Sequence, residues 1–387
     1  MLSGVYRHTL QDRVVYGRPS LEVLVELLGE YGKTRALVVS TRSLSGPQGL
    51  ASEIARGLGE RCAGLHGSVS AHSPRDAVIA TAAEARRLQA DILVAVGGSS
   101  VTDACKVVQL AVWNGLTDVD ALDPYRAGVR TGGKAPTPGA DPLRMIAIPT
   151  TLSAAEFTPF GGVTDTRRHA KEGFGHPLYV PRAVVLNPEM TRQTPAELWF
   201  STGMKAVDHC VETLCSLYRS PFADALAGEG LKRLAGGLRA SKAAPSDMDA
   251  RLDCQLGMWL AISGASAGRG LGASHAIGHT LGGMLGVPHG ITSCVALPAV
   301  LAWNAGANDE AERLVAQLTG SPGLAASAAV KALCHDLDLP TTLSAVGVAP
   351  DQFEAVAEHT MTDRGVRSNP RPIRSAADIV EILKLAA

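Results

Sequence analysis

Four histidines and a lysine are the residues of this sequence whose types and spacing could do chemistry. His275 and His279 lie four positions apart, as do Lys205 and His209, and His289 follows a glycine-rich break. Residues four apart share one face of a helix. Converging imidazoles either bind a catalytic metal ion or exchange protons near neutral pH. A single histidine is more often a hydrogen-bonded structural residue, but the set favours a functional site.

A glycine-rich turn is the second candidate site. The apolar run 91–96 is followed by Gly97, Gly98, Ser99 and Ser100, and then by helical spacing. Glycine lets the backbone approach a ligand closely, and the first turn of a helix attracts phosphate. The turn therefore indicates a pyrophosphate site, although a plain tight turn would leave the same short motif.

The first half of the chain predicts an α/β domain that positions this turn. Apolar runs and 3.6-residue spacing predict strands at 35–40, 91–96, 144–149 and 183–188 and helices at 49–58 and 77–88. Such alternation implies a mostly parallel sheet covered by helices. Thr150 and Thr151 follow the third strand with two hydroxyls, which alone would indicate only a cap. The segment 116–141 is predicted to be a surface insertion.

The second half predicts a helical domain that carries the histidines. Segments with 3.6-residue spacing lie at 196–217, 221–238, 248–267, 274–285, 308–318, 323–337 and 375–385. We therefore predict two domains, 1–187 and 188–387, in agreement with a length of 387 residues.

Composition argues against several classes of protein and of partner. Hydrophobic residues make up 46% of the chain and charged residues 19%, as in ordinary globular proteins. With 36 basic and 37 acidic residues, nothing indicates binding to nucleic acid. Apolar runs such as 295–303 are too short to span a membrane. We expect a small-molecule substrate.

The cysteines and the first residues of the chain predict a cytoplasmic protein. Seven cysteines without Cys-x-x-Cys spacing predict free thiols rather than disulfides or a zinc ribbon. Residues 1–17 lack the apolar segment of a secretory signal.

The segment 274–298 resembles the signature of the iron-containing (group III) alcohol dehydrogenases. That signature has a histidine, a second four residues later and a third ten beyond, and His275, His279 and His289 keep both spacings. Similarity to the family continues in its pyrophosphate loop, its PTT...E segment and its NPR tail, which correspond to Gly97 to Lys106, Pro149 to Glu156, and Asn369 to Arg371. The resemblance extends from about residue 15 to 387.

This resemblance implies an N-terminal dinucleotide-binding α/β domain with a mostly parallel sheet, followed by an all-α domain. That is the dehydroquinate synthase-like, or iron-type alcohol dehydrogenase, fold. It also implies NAD(P)H as cofactor and a homodimer. The cofactor-binding residues that it implies are Gly97, Gly98, Ser99, Ser100, Asp103, Thr150 and Thr151.

The choice between the two cofactors depends on the residues after the first predicted strand. In NAD-specific relatives an aspartate stands there and binds the ribose 2′-hydroxyl, whereas this sequence has Thr41 beside Arg42. Since no carboxylate repels a 2′-phosphate, we expect NADPH to be tolerated. Lys171 completes the predicted cofactor set. Together with Arg167 and Arg168, it also predicts an anionic substrate, unless these residues are only a solvated charge run.

The predicted metal position departs from the family. By the resemblance, members that bind a divalent metal use an aspartate and three histidines, which correspond to Lys205 and to His209, His275 and His289. An ammonium repels each unit of a dication's charge by roughly 4 kcal/mol at 4 Å and a dielectric near 20. We therefore predict no metal. If one is present, iron or zinc at the three histidines is expected, with Asp208 or water as the missing ligand.

Within the family, the sequence is similar to the metal-free maleylacetate reductases, which reduce a ketone beside carboxylates. The segment Thr150 to Thr158 has their length, and Phe157 to Gly161 and His279 to Gly283 also fit. The segments 116–141 and 163–171 look more like the alcohol dehydrogenases, and Lys205 is typical of neither branch.

A lysine can replace a metal ion in carbonyl reduction. Hydride transfer builds negative charge on the carbonyl oxygen, which needs a positive partner. We hypothesise that Lys205, with His275 or His279, supplies this partner, and that His279 donates the proton. The predicted catalytic residues are thus Lys205, His209, His275, His279 and His289. The simpler alternative is that Lys205 is a solvated surface lysine.

Three functions remain open from the sequence. The first is a metal-independent, NAD(P)H-dependent reductase of a carboxylate-bearing ketone or aldehyde. The second is a metal-dependent alcohol dehydrogenase. The third is a non-redox lyase or cyclase on the same scaffold, in which Lys205 forms a Schiff base.

Overall fold

The chain divides into two units where its pattern changes from strands to helices. In this computed structural model, which describes residues 6, 8–129, 132–218, 220–268 and 270–387, one unit is His8–Gln193 and the other contains Thr194–Ala387. The boundary lies a few residues beyond the one placed at 187/188 from the sequence.

A parallel sheet forms the centre of the unit His8–Gln193. Its strands are β1 Arg13–Tyr16, β2 Ala36–Val39, β3 Cys62–His66, β4 Ile92–Gly97, β5 Arg144–Pro149 and β8 Ala183–Leu186. In the described part of this unit they follow the order β1-β8-β5-β4-β2-β3, and every neighbouring pair is parallel. A separate antiparallel hairpin joins β6 Phe160–Asp165 to β7 Ala170–Gly175. The predicted mostly parallel sheet is confirmed.

Helices cover both faces of this sheet. They are α1 Ser20–Glu30, α2 Leu50–Leu58, α3 Arg75–Arg87 and α4 Ser99–Trp113. Alternate residues of β4 face opposite ways, so that Leu93 packs in the core under α3 and α4 while Val94 packs under α1 and α2. This double burial explains why β4 is a continuous apolar run in the sequence.

The strand order creates a switch point between β2 and β4. From β2 the chain continues to β3 on one side, then returns to β4, β5 and β8 on the other. In open parallel sheets, ligands bind at the carboxyl ends of the strands that flank such a point. These ends are followed here by Thr41 and Gly98.

The segment 116–141, of which residues 130 and 131 lie outside the described residues, differs from a simple surface loop in its described part. Its residues Asp120–Tyr125 form a 3-10 helix, in which Leu122 is buried. Asp123 lies 2.7 Å from a guanidinium nitrogen of Arg75, whose side chain is only 2% exposed. Arg75 also pairs with Glu172 of β7. The insertion therefore packs against α3 and the hairpin through buried charges, which composition alone does not reveal.

Replacing Arg75 by methionine should lower the free energy of unfolding by about 3 kcal/mol, because it removes the buried cation that Asp123 and the buried Glu172 share. Urea unfolding followed by circular dichroism measures the change. Arg87 on the same helix is the control, since its pair with Glu84 is exposed. Arg87→Met should cost less than about 1 kcal/mol. Equal shifts for the two variants would contradict this account.

The regular elements described in the unit Thr194–Ala387 are all helices. Its helices are α5 Ala196–Cys215, α6 Pro221–Ala243, α7 Met248–Ala267, α8 Ala273–Leu285, α9 His289–Asn304, α10 Asp309–Leu318, α11 Ala326–Asp336, α12 Phe353–Thr360 and α13 Ala376–Leu385. All seven helical segments predicted from spacing are present. The helices α9 and α12 are additional.

Two further observations concern the whole described chain. None of its described helices is both long enough and apolar enough to cross a bilayer. All seven cysteines carry free thiols.

Candidate active site

Helix α5 carries a stripe of polar side chains through a mostly buried helix. Lys205, Asp208, His209 and Glu212 recur at intervals of three and four residues, so they share one face. Asp208, His209 and Glu212 are buried, and Lys205 is half-buried. Charged side chains are rarely buried without a partner or a function. This polar face of α5 is therefore part of a candidate site.

The four predicted histidines lie in a chain of ring contacts. The centroids of His209 and His275 are 4.7 Å apart, those of His275 and His279 6.3 Å, and those of His279 and His289 5.6 Å. The rings come from α5, α8 and the first residue of α9. The fold thus brings together the four histidines that were predicted from their spacing.

Glu212 fixes the orientation of His275. Its carboxylate accepts hydrogen bonds from the backbone N–H groups of Gly272 and Ser274, at 2.8 Å each, at the start of α8. It also lies 2.8 Å from His275 Nδ1. A carboxylate at Nδ1 favours the tautomer with its proton there, so Nε2 keeps a lone pair. Glu212 was not predicted from the sequence, although it continues the polar stripe of α5.

Burial keeps both inner imidazoles neutral. It is the largest cause that lowers the pKa of His275 to about 4 and holds the pKa of His209 well below its usual value. Burial also raises the pKa values of Asp208 and Glu212 to about 7. At neutral pH the two histidines are therefore neutral, and each has one ring nitrogen that can accept a hydrogen bond.

Lys205 is the cation of this cluster. Its positive charge contributes, after burial, to lowering the pKa of both His209 and His275. Such an effect requires proximity, because charge interactions are weak across solvent. Lys205 is half-buried on the same face of α5 as His209, which does not match a fully solvated surface lysine.

Several buried atoms of the cluster have no hydrogen-bond partner among the described residues. They are His209 Nδ1, His275 Nε2 and Asp208 Oδ1. An unpaired buried polar atom is costly, and in an enzyme such atoms commonly face a ligand. The cluster is therefore built to receive a polar group.

Two carboxylates and one imidazole come close enough to hold a metal ion. Ligand atoms of Asp208, Glu212 and His275 lie within 4.8 Å of one another. No other group of three His, Cys, Asp or Glu side chains is that close in the part of the chain that the structure describes, including the predicted set of His209, His275 and His289. The closest donors thus differ from those expected for iron or zinc.

His279 lies at the outer end of the histidine chain. Its side chain is 55% exposed, and its Nδ1 is 2.9 Å from Asp363 Oδ2. The hydrogen bond from His279 lowers the pKa of Asp363. A half-exposed imidazole that is oriented by a carboxylate can pass a proton between a bound group and solvent.

A cavity of about 630 Å³ opens onto His275 and His279. Its volume suits a small organic ligand. Arg364 and Arg367, which follow Asp363, also line it. None of Asp363, Arg364 and Arg367 was predicted from the sequence.

The predicted pyrophosphate turn lies in the other unit, between β4 and α4. A Cβ atom at Gly97 would lie 2.7 Å from Val101 Cγ2, and one at Gly98 would lie 3.0 Å from Thr151 Oγ1. Ser99 begins α4, whose first N–H groups have no acceptor within the helix. The two glycines therefore allow a close approach to a helix start, as a phosphate site requires.

Neighbouring loops complete this edge of the sheet. Thr150 N donates to Gly97 O at 3.1 Å, so the predicted hydroxyl pair adjoins the glycine turn. Ser100 is the second residue of α4, and its Oγ accepts from His72 N at 3.1 Å. Thr41 follows β2 across the switch point, and Arg42 beside it is exposed.

Asp103 and Lys171 lie at the hairpin. Asp103 Oδ2 accepts a hydrogen bond from Gly162 N at 3.1 Å, and Asp103 Oδ1 lies 3.2 Å from Nζ of the buried Lys106. Lys171 passes over Gly162, where a Cβ atom would lie 2.5 Å from its Cε. Asp103 thus holds the hairpin, and its predicted contact with a cofactor stays a prediction.

Arg167 and Arg168 are ion-paired rather than available to a ligand. Arg167 Nη2 lies 2.5 Å from Asp120 Oδ1, and Arg168 Nη1 lies 2.9 Å from Asp123 Oδ1. An anionic substrate would have to displace these aspartates. The expected anion site is therefore not favoured at this position.

Comparison with known proteins identifies the family. Residues 11–188 match the model of the iron-containing alcohol dehydrogenases, and residues 199–387 match the model of the C-terminal part of the Fe-containing alcohol dehydrogenase family. The chain belongs to the iron-containing alcohol dehydrogenase family. This family member is therefore an oxidoreductase that acts on alcohol or carbonyl groups. The predicted fold class is also confirmed.

Individual relatives of this family member have several substrates. Maleylacetate reductase 2 of Cupriavidus pinatubonensis is 32% identical, over 100% of this chain and 97% of its own. The 4-hydroxybutyrate dehydrogenase of Cupriavidus necator is 32% identical over 81% and 82%. The crystal structure of maleylacetate reductase from Agrobacterium tumefaciens has a TM-score of 0.83 and 28% identity, over 100% and 98%.

Proposed function

We propose that this protein is an NAD(P)H-dependent reductase of a carboxylate-bearing ketone or aldehyde, and that it works without a metal ion. The observation that carries the proposal is the half-buried Lys205 on the polar face of α5, four residues before His209, at the position where the resemblance expects the aspartate that binds metal.

The residues present do not fit a resident iron or zinc ion. A dication at His209 and His275 would be repelled by the ammonium of Lys205. In the closest donor set, Glu212 already accepts three hydrogen bonds and His275 uses Nδ1 for one of them. An ion there would have to break the contacts that orient His275.

The glycine turn fits the pyrophosphate of a dinucleotide. Gly97 and Gly98 carry no side chain just before the start of α4, whose N–H groups and positive dipole end would bind the phosphates. Bound NAD(P)H supplies a hydride to the carbonyl carbon. Thr41 and Arg42, after β2, leave space and positive charge for a 2′-phosphate.

In this proposal Lys205 stabilises negative charge on the substrate oxygen and His279 donates a proton to it. As the carbonyl carbon gains the hydride, its oxygen becomes an alkoxide, and the ammonium of Lys205 stabilises that charge. His279 then gives the oxygen a proton and recovers one from solvent. The C=O bond becomes CH–OH. Asp363 holds the ring of His279 for this transfer.

The named substrates of two relatives support an anionic substrate. Maleylacetate and 4-hydroxybutyrate both carry carboxylates, and the two relatives are each 32% identical to this chain. A carboxylate-bearing carbonyl compound is the class that they share.

Spectrophotometry of NADPH and NADH oxidation with a panel of oxo acids and aldehydes tests the proposed function. We expect turnover with oxo acids by protein that contains no stoichiometric metal. Absence of oxidation with every carbonyl would overturn the proposal. Trapping of a substrate on Lys205 by borohydride would instead favour the lyase or cyclase.

Gly98→Val should weaken NADPH binding at least about 10-fold, because the new side chain meets Thr151 and fills the turn. Fluorescence titration of NADPH measures the dissociation constant. Gly139→Ala is the control, since no atom lies within 4 Å of its Cβ position. If both variants bind NADPH like the unmodified protein, the cofactor does not use this turn.

A further inference from the structure

The turn between α12 and α13 is fixed against the site. Asp363 caps its 3-10 helix, Arg364–Ser368, by accepting from Gly365 N at 2.8 Å. Ser368 Oγ donates to Leu271 O at 2.6 Å, just before α8. Gly365 packs so closely that a Cβ atom there would lie 2.6 Å from Gly272 O. The backbone that carries the two arginines is therefore held in place.

The two arginines of this turn lie on the same side of its 3-10 helix. A 3-10 helix has three residues per turn, so Arg364 and Arg367 project from one side. Both line the cavity of about 630 Å³ that His275 and His279 also line. The turn thus presents two guanidinium groups to the space beside the proposed proton donor.

Neither guanidinium is used by the protein itself. Among the described residues, Arg364 and Arg367 have no hydrogen-bond or ion-pair partner. Arg371, a few residues later, differs, because it donates to Trp303 O at 2.7 Å and stacks on the Trp303 ring. The charges of Arg364 and Arg367 are therefore available to a ligand.

The cavity has an excess of positive charge. Asp363 is the one carboxylate among its described lining residues, and its Oδ2 is held by His279. The remaining lining side chains, apart from the two arginines and the two histidines, are uncharged. Two unpaired cations facing one occupied carboxylate attract an anion.

We infer that Arg364 and Arg367 bind the carboxylate of the substrate and select oxo acids over neutral aldehydes. A guanidinium matches a carboxylate with two parallel hydrogen bonds, which makes arginine well suited to this recognition. The inference rests on the proposed function and assigns the recognition of the substrate carboxylate to two residues. It replaces the earlier expectation at Arg167 and Arg168, whose guanidinium groups are occupied by aspartates.

Paired substrates test the selectivity. In the double variant Arg364→Met and Arg367→Met, the ratio of kcat/KM for 4-oxobutanoate to kcat/KM for butanal should fall about 100-fold, mainly through KM. Arg374→Met, which lies outside the cavity lining, should leave the ratio unchanged. Each single variant should show part of the loss. An unchanged ratio in the double variant would overturn the inference.

Binding of succinate, which cannot be reduced, separates this inference from the proposed function. Calorimetry should show that the double variant binds succinate at least about 10-fold more weakly than the unmodified protein. If no carbonyl compound is reduced but succinate binding still depends on the arginines, the proposed function fails and the carboxylate site stands. If the unmodified protein does not bind succinate, or both proteins bind it equally, the inference is wrong.

Discussion

Lys205→Met is expected to lower kcat by about 100- to 1,000-fold, the cost of removing one preorganised partner of a developing oxyanion. Methionine keeps the length and much of the volume of the side chain and removes its charge. Since Lys205 is half-buried on a helix, the fold should persist. Steady-state kinetics with an oxo acid measure the change, and circular dichroism checks the fold.

A second readout distinguishes the charge of Lys205 from a packing role. That charge lowers the pKa of His275 and His209, so its removal should raise both values. NMR titration of the imidazoles detects the shift. Lys205→Arg keeps the charge, so the histidine pKa values should stay low, and part of kcat should return. Full activity of Lys205→Met would exclude the lysine from the mechanism.

Lys205→Asp is expected to create a metal site. The substitution changes the local charge by two units beside His209 and His275, whose Nδ1 and Nε2 atoms lack partners among the described residues. It also restores the aspartate that the resemblance expects there. We predict one Zn²⁺ per chain with a Kd below about 1 μM, which corresponds to about 8 kcal/mol of binding free energy.

Calorimetry with Zn²⁺, followed by elemental analysis after dialysis, measures this gain. Lys205→Asn is the matched control, because it removes the ammonium without adding a ligand charge, and it should bind Zn²⁺ more weakly than Lys205→Asp. Equal Zn²⁺ affinity of the unmodified protein and of Lys205→Asp would show that the ammonium does not control metal binding.

Local spacing made the inner part of the site predictable. Lys205 and His209 on one helix, and His275 and His279 on another, are four apart, and helix geometry alone places each pair on one face. Asp363 lies 84 positions from His279, so only the tertiary fold joins them. Arg364 and Arg367 line the cavity only because the tertiary fold places them there next to Asp363, and no periodic pattern in the sequence predicts this.

The missed elements lack a period for physical reasons. Helix α9 is buried on most sides and contains Pro298, so it has no polar face to mark its 3.6-residue repeat. Strand β3 contains Gly64, and glycine weakens the strand signal. Arg167 and Arg168 formed a conspicuous charge run, but their partners Asp120 and Asp123 come from a segment that composition marks only as a loop.

Metal content and turnover, measured on one batch before and after chelation, test the central claim most directly. The account predicts less than about 0.1 iron or zinc per chain, with the rate of NAD(P)H-dependent reduction unchanged by chelator, because the ammonium of Lys205 occupies the electrostatic role of the ion. Stoichiometric iron or zinc whose removal abolishes turnover and whose return restores it would contradict the account.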